Sequence, residues 1–529
     1  MKSAQRPAGK RWLLLRRTSQ LFFLLIFLIL FLRTDYNGSD SLNGAVNLIF
    51  RIDPFVAACV MLAVRTFVTL LAPALFLILL ALIFGRLFCG WACPMGSLLD
   101  IFRRLARFRT SRRGNTTLLP KVPLLLLLMT LVAAFFGFPL AGYLDPFSLL
   151  VRGMTQAIYP LFHFMTVDFF TFTYTQLPEF VNRVTEPIYS ILRETVLPAE
   201  QKYFQQVYLA FFMLAALFVA EWFHPRFFCR NFCPLGAMLG FFGRWSWLKG
   251  RGGDEACGAC QICSNVCRMG AVDTNRVIAM NHCTFCNECV VRCPRQVIHF
   301  TLGFGAVTVS DYSVSRRGFL GAVGLGVFLP LLRSTTILAK QTDSGLIRPP
   351  GARLEREFLS RCVRCGECLQ VCITNGLQPA LLESGLEGIF SPHLVSRIGY
   401  CEYNCTLCGQ VCPTGAIQSL DLADKQQVHI GIAELDRARC LPFAKGIPCM
   451  VCEEHCPVPE KAIRFATIPW KGLNGETVMV KQPWVVEELC IGCGICENRC
   501  PLPGPSAITI HPSQPVGEGS GYLDSSPGG

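Results

Sequence analysis

The chain has 529 residues, of which 52% are apolar and only 16% charged, with a formal net charge of +13. That balance fits a membrane protein carrying soluble domains, and it excludes a small disulfide scaffold. It also argues against a nucleic-acid binder, because the lysines and arginines gather at the ends of apolar stretches and not in a basic soluble domain.

Four apolar stretches precede residue 230. They are Leu21–Leu32 with its extension toward Trp12, Phe55–Phe88, Leu118–Leu140 and Val207–Phe223. A crossing needs roughly 20 apolar residues, so four transmembrane helices are expected. The N-terminus carries Lys2, Arg6, Lys10, Arg11, Arg16 and Arg17. The second connection carries Arg103, Arg104, Arg107, Arg109, Arg112 and Arg113, and the segment after the fourth helix Arg226, Arg230, Arg244, Lys249 and Arg251. The loops 33–54 and 141–206 are balanced or mildly acidic. Positive ends face the cytoplasm, so the N-terminus and both basic connections are expected on the cytoplasmic side of a bacterial inner membrane.

The membrane part repeats itself. Asp53-Pro54-Phe55 leads to Arg86-Leu-Phe-Cys89-Gly-Trp-Ala-Cys93-Pro94-Met-Gly96. Asp145-Pro146-Phe147 leads to Arg226-Phe-Phe-Cys229-Arg-Asn-Phe-Cys233-Pro234-Leu-Gly236. Two C-x3-C pairs suggest pseudo-symmetric halves whose four thiols converge, as a metal, cluster or redox-thiol site, or else as small apolar fillers. Cys59 reads as core. Ionisable groups at membrane depth are functional candidates. Arg65 sits mid-span in the second stretch, and Glu221 and His224 are candidate catalytic groups for a proton-releasing substrate.

Twenty-four of the 29 cysteines form six groups of four. Cys257, Cys260, Cys263, Cys267 and Cys283, Cys286, Cys289, Cys293 read C-x2-C-x2-C-x3-C, as do Cys362, Cys365, Cys368, Cys372 and Cys490, Cys493, Cys496, Cys500. Cys401, Cys405, Cys408, Cys412 and Cys440, Cys449, Cys452, Cys456 have a longer first gap. This is the bacterial ferredoxin spacing for 4Fe-4S clusters, in which the fourth cysteine ligates the neighbouring cluster. Zinc sites do not need the third cysteine at that interval. Six 4Fe-4S clusters are therefore expected, with exchange inside adjacent combs; the long connections after residue 350 leave nested pairing open. Each cluster with its thiolates adds about −2, so six would nearly cancel the formal charge.

The expected organisation is multidomain. Residues 1–250 form an α-helical membrane domain with the duplication, and 251–305 a cytoplasmic α+β two-cluster ferredoxin. Residues 311–340 form a fifth crossing, opened by the twin-arginine pattern Ser315-Arg316-Arg317-Gly318-Phe319-Leu320. Residues 350–511 are a four-cluster ferredoxin domain on the periplasmic side, and 512–529 a disordered tail. The twin-arginine route suits a domain whose clusters are built before it crosses. No C-x-x-C-H haem motif, dinucleotide loop or flavin attachment motif is evident.

The first 300 residues resemble the NapH membrane family, through four helices, two C-x3-C-P motifs and a terminal two-cluster ferredoxin. Residues 311–511 resemble the exported NapG/MauM ferredoxin family, notably in Cys440-Leu-Pro-Phe, Cys449-Met-Val-Cys452-Glu-Glu-His-Cys456-Pro457-Val458 and Cys412-Pro-Thr-Gly415-Ala416. The chain thus looks like a fusion of the two. The resemblance implies a quinol dehydrogenase, an oxidoreductase component taking electrons from membrane quinol to a periplasmic c-type cytochrome or reductase. The competing reading is a membrane metal-handling or maturation factor, copper-related for example, powered by its clusters. On the relay reading, the cytoplasmic ferredoxin is a branch or an input for cytoplasmic electrons.

Overall fold

The computed structural model describes residues 7–36, 38, 40–42, 47–105, 121–198, 200–252, 257, 260–273, 276–303, 314–332, 346–471 and 477–513. Thr335–Ala339, most of the expected tail, and the basic residues Lys2, Arg6, Arg107, Arg109, Arg112 and Arg113 lie outside these residues. The chain forms two compact units, each assembled from separate stretches of sequence. The first comprises Met1–Leu32, Val46–Gly153 and Tyr208–Leu332; the second comprises Arg33–Ala45, Met154–Val207 and Arg333–Gly529.

Among the described residues the first unit is helical apart from one small sheet. Among the described residues one helix, within Arg11–Arg33, is long and apolar enough to cross a membrane. The expected crossing Phe55–Phe88 is not a single helix. Arg65 adopts a left-handed backbone (φ 56°), ends the helix Pro54–Val64, and is followed by a turn before the helix Ala74–Phe84. Arg65 is therefore exposed at a helix end, with its guanidinium 5.6 Å from the centre of the Phe135 ring, and not mid-span. The stretch Thr69–Phe84 and the following Leu87–Leu105 are bent against each other by 94°. Val122–Phe135 and Val207–Ala220 are shorter apolar helices of 14 residues each. The helix Arg316–Leu332 opens at the twin arginine and packs along Val122–Phe135. Gly326 permits the approach: a Cβ there would lie 2.9 Å from the Met129 carbonyl oxygen.

The duplication is visible in the backbone. Asp53 caps the helix Pro54–Val64, its Oδ1 accepting from the Phe55 and Val56 amides at 2.7 and 3.0 Å. Asp145 caps Pro146–Gly153 in the same way, its Oδ2 accepting from the Ser148 amide at 2.7 Å. Proline at the first helical position is preset for this geometry in both copies. The two aspartates are fully buried and within hydrogen-bonding reach of each other, so the halves meet at their equivalent helix starts.

Sheet structure belongs to the ferredoxin-type parts. Leu248–Arg251 pairs antiparallel with His299–Leu302 around the first two combs. In the second unit Ile432–Leu435 pairs with Ile508–His511 around the last two. Leu377–Pro379 pairs with Pro392–Leu394 between the third and fourth combs. A long hairpin, Ile463–Lys471 with Thr477–Val485, stands between the fifth and sixth. The core of the second unit joins Phe358, Leu369, Leu407, Val411, Ile463 and Ile508 to Phe204, with Tyr36, Leu42 and Val207 packed against it.

Candidate metal centres

Each comb builds its site by the same local device. The third cysteine lies on a single helical turn: Ile262–Val266, Glu288–Arg292, Glu367–Val371, Leu407–Val411, Val451–Glu454 and Ile495–Arg499. In five combs the fourth cysteine is the residue that ends this turn, with an extended ψ between 109° and 123°. The x3 gap thus carries the fourth sulfur away from the first three. Left-handed residues such as Gly366 (φ 87°) and Gly494 (φ 81°) start the turn and leave room for the preceding loop.

The grouping of sulfurs is the exchanged one. Cys257, Cys260 and Cys263 share a cavity with Cys293, and Cys283, Cys286 and Cys289 share one with Cys267. In the second unit Cys401, Cys405 and Cys408 share a cavity with Cys372. Cys362, Cys365 and Cys368 lie within electrostatic reach of Cys412. Cys440 neighbours Cys449 and Cys500, with Cys452 beside them, and Cys490, Cys493 and Cys496 neighbour Cys456. The pairing joins adjacent combs, not nested ones.

The four groups of the second unit also form a line. Cys368 of the first reaches Cys408 of the second. Cys401 of the second donates its amide to the Cys493 carbonyl of the third at 2.8 Å. Cys496 of the third reaches Cys452 of the fourth.

These residues fit a 4Fe-4S group. Among the described residues no three His, Cys, Asp or Glu surround a single-ion position. A cubane needs its thiolates further apart than one ion does. Backbone amides point at the sulfurs: Ala271 at Cys267 (3.2 Å), Ala433 at Cys490 (3.4 Å) and Ile417 at Cys412 (3.4 Å). Such bonds stabilise thiolate charge and tune the potential. Burial pushes the Cys405, Cys452 and Cys493 thiols up to about 12. Iron binding must therefore displace their protons.

The C-x3-C-P segments converge as well. Cys93 lies near Cys89 and Cys229, and Cys233 near Cys229 and Cys89, so the four thiols form one group. The motif around them has a physical reason. Cys233 caps the helix Pro234–Gly243, Pro234 starts it, and the Gly236 amide donates to Cys233 Sγ at 3.2 Å. Gly236 also faces Arg86 of the other copy, and Gly96 faces Arg226. The exchange of arginines is reciprocal. Arg226 forms a two-point ion pair with Asp100 (3.2 and 3.0 Å) and donates to the Cys89 carbonyl at 2.7 Å.

This group is seated on the two-comb ferredoxin. Arg86 donates to the Asn281 carbonyl (3.3 Å), Trp91 to that of Phe285 (3.1 Å) and Arg16 to that of Cys286 (3.1 Å). Arg268 bridges Asp100 and Glu288, and Glu288 also takes Arg16.

Glu221 and His224 lie just before the second C-x3-C turn. The Glu221 carboxylate accepts from the Arg226 and Phe227 amides (2.8 and 3.3 Å) and pairs with Arg103 at 3.6 Å. It holds the turn that starts the second C-x3-C. His224 lies near the cations Arg230 and Arg103. Cys59 is buried in the helix Pro54–Val64. Sequence reading missed the polar group Asp35, Tyr159, His163 and Lys202 in the second unit, because these residues are single and widely spaced. The only available signal was their position in two loops expected on one side.

Two family profiles, both described as 4Fe-4S binding domains, match the chain. One covers residues 66–113 and 206–251, the two C-x3-C-P segments, and the other covers residues 483–502, the last comb. The methylamine utilization ferredoxin-type protein MauM of Methylorubrum extorquens is 36% identical over 180 residues, 33% of this chain and 77% of that protein. The ferredoxin-type protein NapG of Escherichia coli is 35% identical over 204 residues, 37% of this chain and 83% of the relative. MauM of Paracoccus denitrificans is 34% identical over 209 residues, 39% of this chain and 88% of the relative. The likeness falls on the C-terminal region. No solved structure matches.

Proposed function

Because the chain belongs to the family of ferredoxin-type iron–sulfur proteins that includes NapG and MauM, we propose that it is a membrane-bound quinol dehydrogenase. Its NapH-like first part would meet quinol in the bacterial inner membrane. Its C-terminal part would pass electrons to a periplasmic c-type cytochrome or reductase. The observation that carries this reading is the line of four cysteine groups in the second unit, each within reach of the next. Six groups of four cysteines would hold six 4Fe-4S clusters, which supply one-electron transfer when bound. The cysteines set the order of that relay, and the amides aimed at sulfur tune each station.

The compact units favour the sidedness. The stretches Arg33–Ala45 and Met154–Val207, whose loops lack the positive bias, share a unit with the four-comb region. The N-terminal helix and the two-comb ferredoxin share the other. The two-comb ferredoxin and the thiols Cys89, Cys93, Cys229 and Cys233 then form a cytoplasmic branch.

The test is iron and acid-labile sulfide counting on anaerobically purified protein, with a quinol titration followed by electron paramagnetic resonance. About 24 iron atoms and quinol-dependent reduction are expected, from about four per cluster. Full iron with no reduction by any quinol, together with loss of metal loading in a client protein when Cys89 or Cys233 is changed to serine, would favour the metal-handling alternative.

A further inference from the structure

The second unit contains a buried polar cluster that the cysteine groups do not use. Asp35, Tyr159, His163 and Lys202 are each at most 8% exposed. Tyr159 Oη lies 2.9 Å from Asp35 Oδ2 and 2.9 Å from the Val196 carbonyl oxygen. The Lys202 ammonium donates to Asp35 Oδ1 and to the Gln370 carbonyl. His163 follows Tyr159 by one turn on the helix Tyr159–Gln176, so the two share a face. It lies within electrostatic reach of Asp35 and Lys202, and its Nδ1 has no hydrogen-bond partner.

This cluster abuts the start of the cysteine line. Gln370 sits on the turn Glu367–Val371, between Cys368 and Cys372. Its side chain lies 3.2 Å from Thr155 Oγ1, on the π-helical turn Met154–Ile158 that precedes Tyr159. π-Helical turns recur at functional sites. Asn375 and Gln378 both donate to the Tyr203 carbonyl, next to Lys202, at 2.7 and 2.9 Å. Beyond His163 the same helix becomes apolar and exposed, with Phe164, Met165, Phe169 and Phe172 each more than half exposed.

An ion pair that fastens loops to the ferredoxin region accounts for Asp35 and Lys202. It does not account for an unpartnered buried imidazole nitrogen and a tyrosine hydroxyl meeting that carboxylate at the foot of an aromatic helix. On the quinol reading above, we infer that Asp35, Tyr159, His163 and Lys202 form the site where the hydroquinone head group binds and gives up its protons. The exposed aromatic face of Tyr159–Gln176 suits the isoprenoid tail.

The chemistry balances. A hydroquinone becomes a quinone by breaking two O–H bonds and releasing two protons and two electrons. His163 Nδ1, in its acceptor tautomer, takes one proton. The Asp35 carboxylate takes the other as Tyr159 releases its hydrogen bond. The electrons leave singly to the iron–sulfur groups that the first two cysteine quartets of this unit would hold. Oxidation here would need no electron to cross the membrane before reaching the exported region.

The experiment uses the full chain, anaerobic and in lipid nanodiscs, with a short-chain naphthoquinol as the probe. Quinone binding is read by equilibrium dialysis, and reduction by bleaching of the iron–sulfur absorbance. Asp35→Asn and His163→Gln should slow bleaching by at least about 100-fold, the usual worth of a positioned base. Both should weaken quinone binding while leaving iron content unchanged. Tyr159→Phe, which removes one hydroxyl, carries the test should either of those variants lose iron. Wild-type rates in all iron-replete variants would overturn the site and leave the quinol reading standing, as would slowing by Glu221→Gln alone. Wild-type protein that neither binds nor oxidises quinol, yet bleaches with dithionite, would sink both.

Discussion

The two compact units use the same cysteine comb in different settings. In the first, the single pair of combs is clamped to apolar helices by buried ions. Arg16, Arg268 and Arg226 share Glu288 and Asp100, and the first C-x3-C turn presses on the loop around Thr284. In the second, two pairs are joined end to end by backbone contacts such as Cys401 to Cys493. Hydrogen bonds to the Gln370 and Tyr203 regions connect them to the stretches Arg33–Ala45 and Met154–Val207, which the Asp35–Lys202 pair ties to each other. The comb fixes only the local cage. What surrounds it decides whether a pair is an endpoint seated on other machinery or a segment of a longer line.

The sharpest way to break this comparison is to remove one ligand from each unit. On the quinol reading, Cys408→Ser should cut transfer from quinol to an external acceptor by about 10–100-fold or more, because its group stands second in the line. Cys263→Ser should leave that rate near wild type while lowering iron by a similar amount. Equal losses in stopped-flow measurements would mean the two units are in series.

The ionic clamp comes next. Arg226→Leu leaves Asp100, which is 3% exposed, with Arg268 as its remaining cation. Breaking a buried pair outright costs about 3–5 kcal/mol, and the surviving partner holds the loss below that. The thermal transition of the first unit should fall accordingly, and that of the second should not move.

A pH effect should mark the second unit. His393 is buried and lies near Arg348, and these hold its imidazole down at about 4. A base whose folded value lies below its free value of 6.5 favours the folded state fully above pH 6.5. That contribution fades as the pH falls toward 4, by at most about 3 kcal/mol. His393→Leu should flatten the acid limb of a melting-temperature profile; an unchanged limb would remove His393 from the account.

The smallest effect expected is at Gly90. A Cβ there would lie 2.3 Å from the Thr284 carbonyl oxygen. Gly90→Ala should destabilise the seating of the two-comb ferredoxin by about 1–3 kcal/mol. Proteolysis of residues 248–302 before and after the change would report it.

Much of the cage architecture is legible in the sequence, because fixed cysteine intervals encode a local turn that needs little from the rest of the chain. The paired caps at Asp53 and Asp145 are legible for the same reason: Asp-Pro sets a capping side chain beside a residue preset for the first helical position. The break at Arg65 is not, since Val64-Arg65-Thr66-Phe67 continues an apolar run and only a left-handed backbone ends it. The polar cluster is less legible still. Asp35 and Lys202 are 167 residues apart, and no periodicity ties a loop acid to a distant lysine. The role of Glu221 was hidden too, because its partners are amides that exist only once the Arg226 turn has formed.

The second unit is stitched from three stretches, two of which precede the helix Arg316–Leu332 and one of which follows it. Its completion therefore depends on timing. The early loops are synthesised first and wait with Asp35 and Lys202 lacking the surface that later covers them. The C-terminal portion then supplies the missing half of their shelter. Truncating the chain after Leu332 would leave two orphaned loops, which quality-control proteases should recognise.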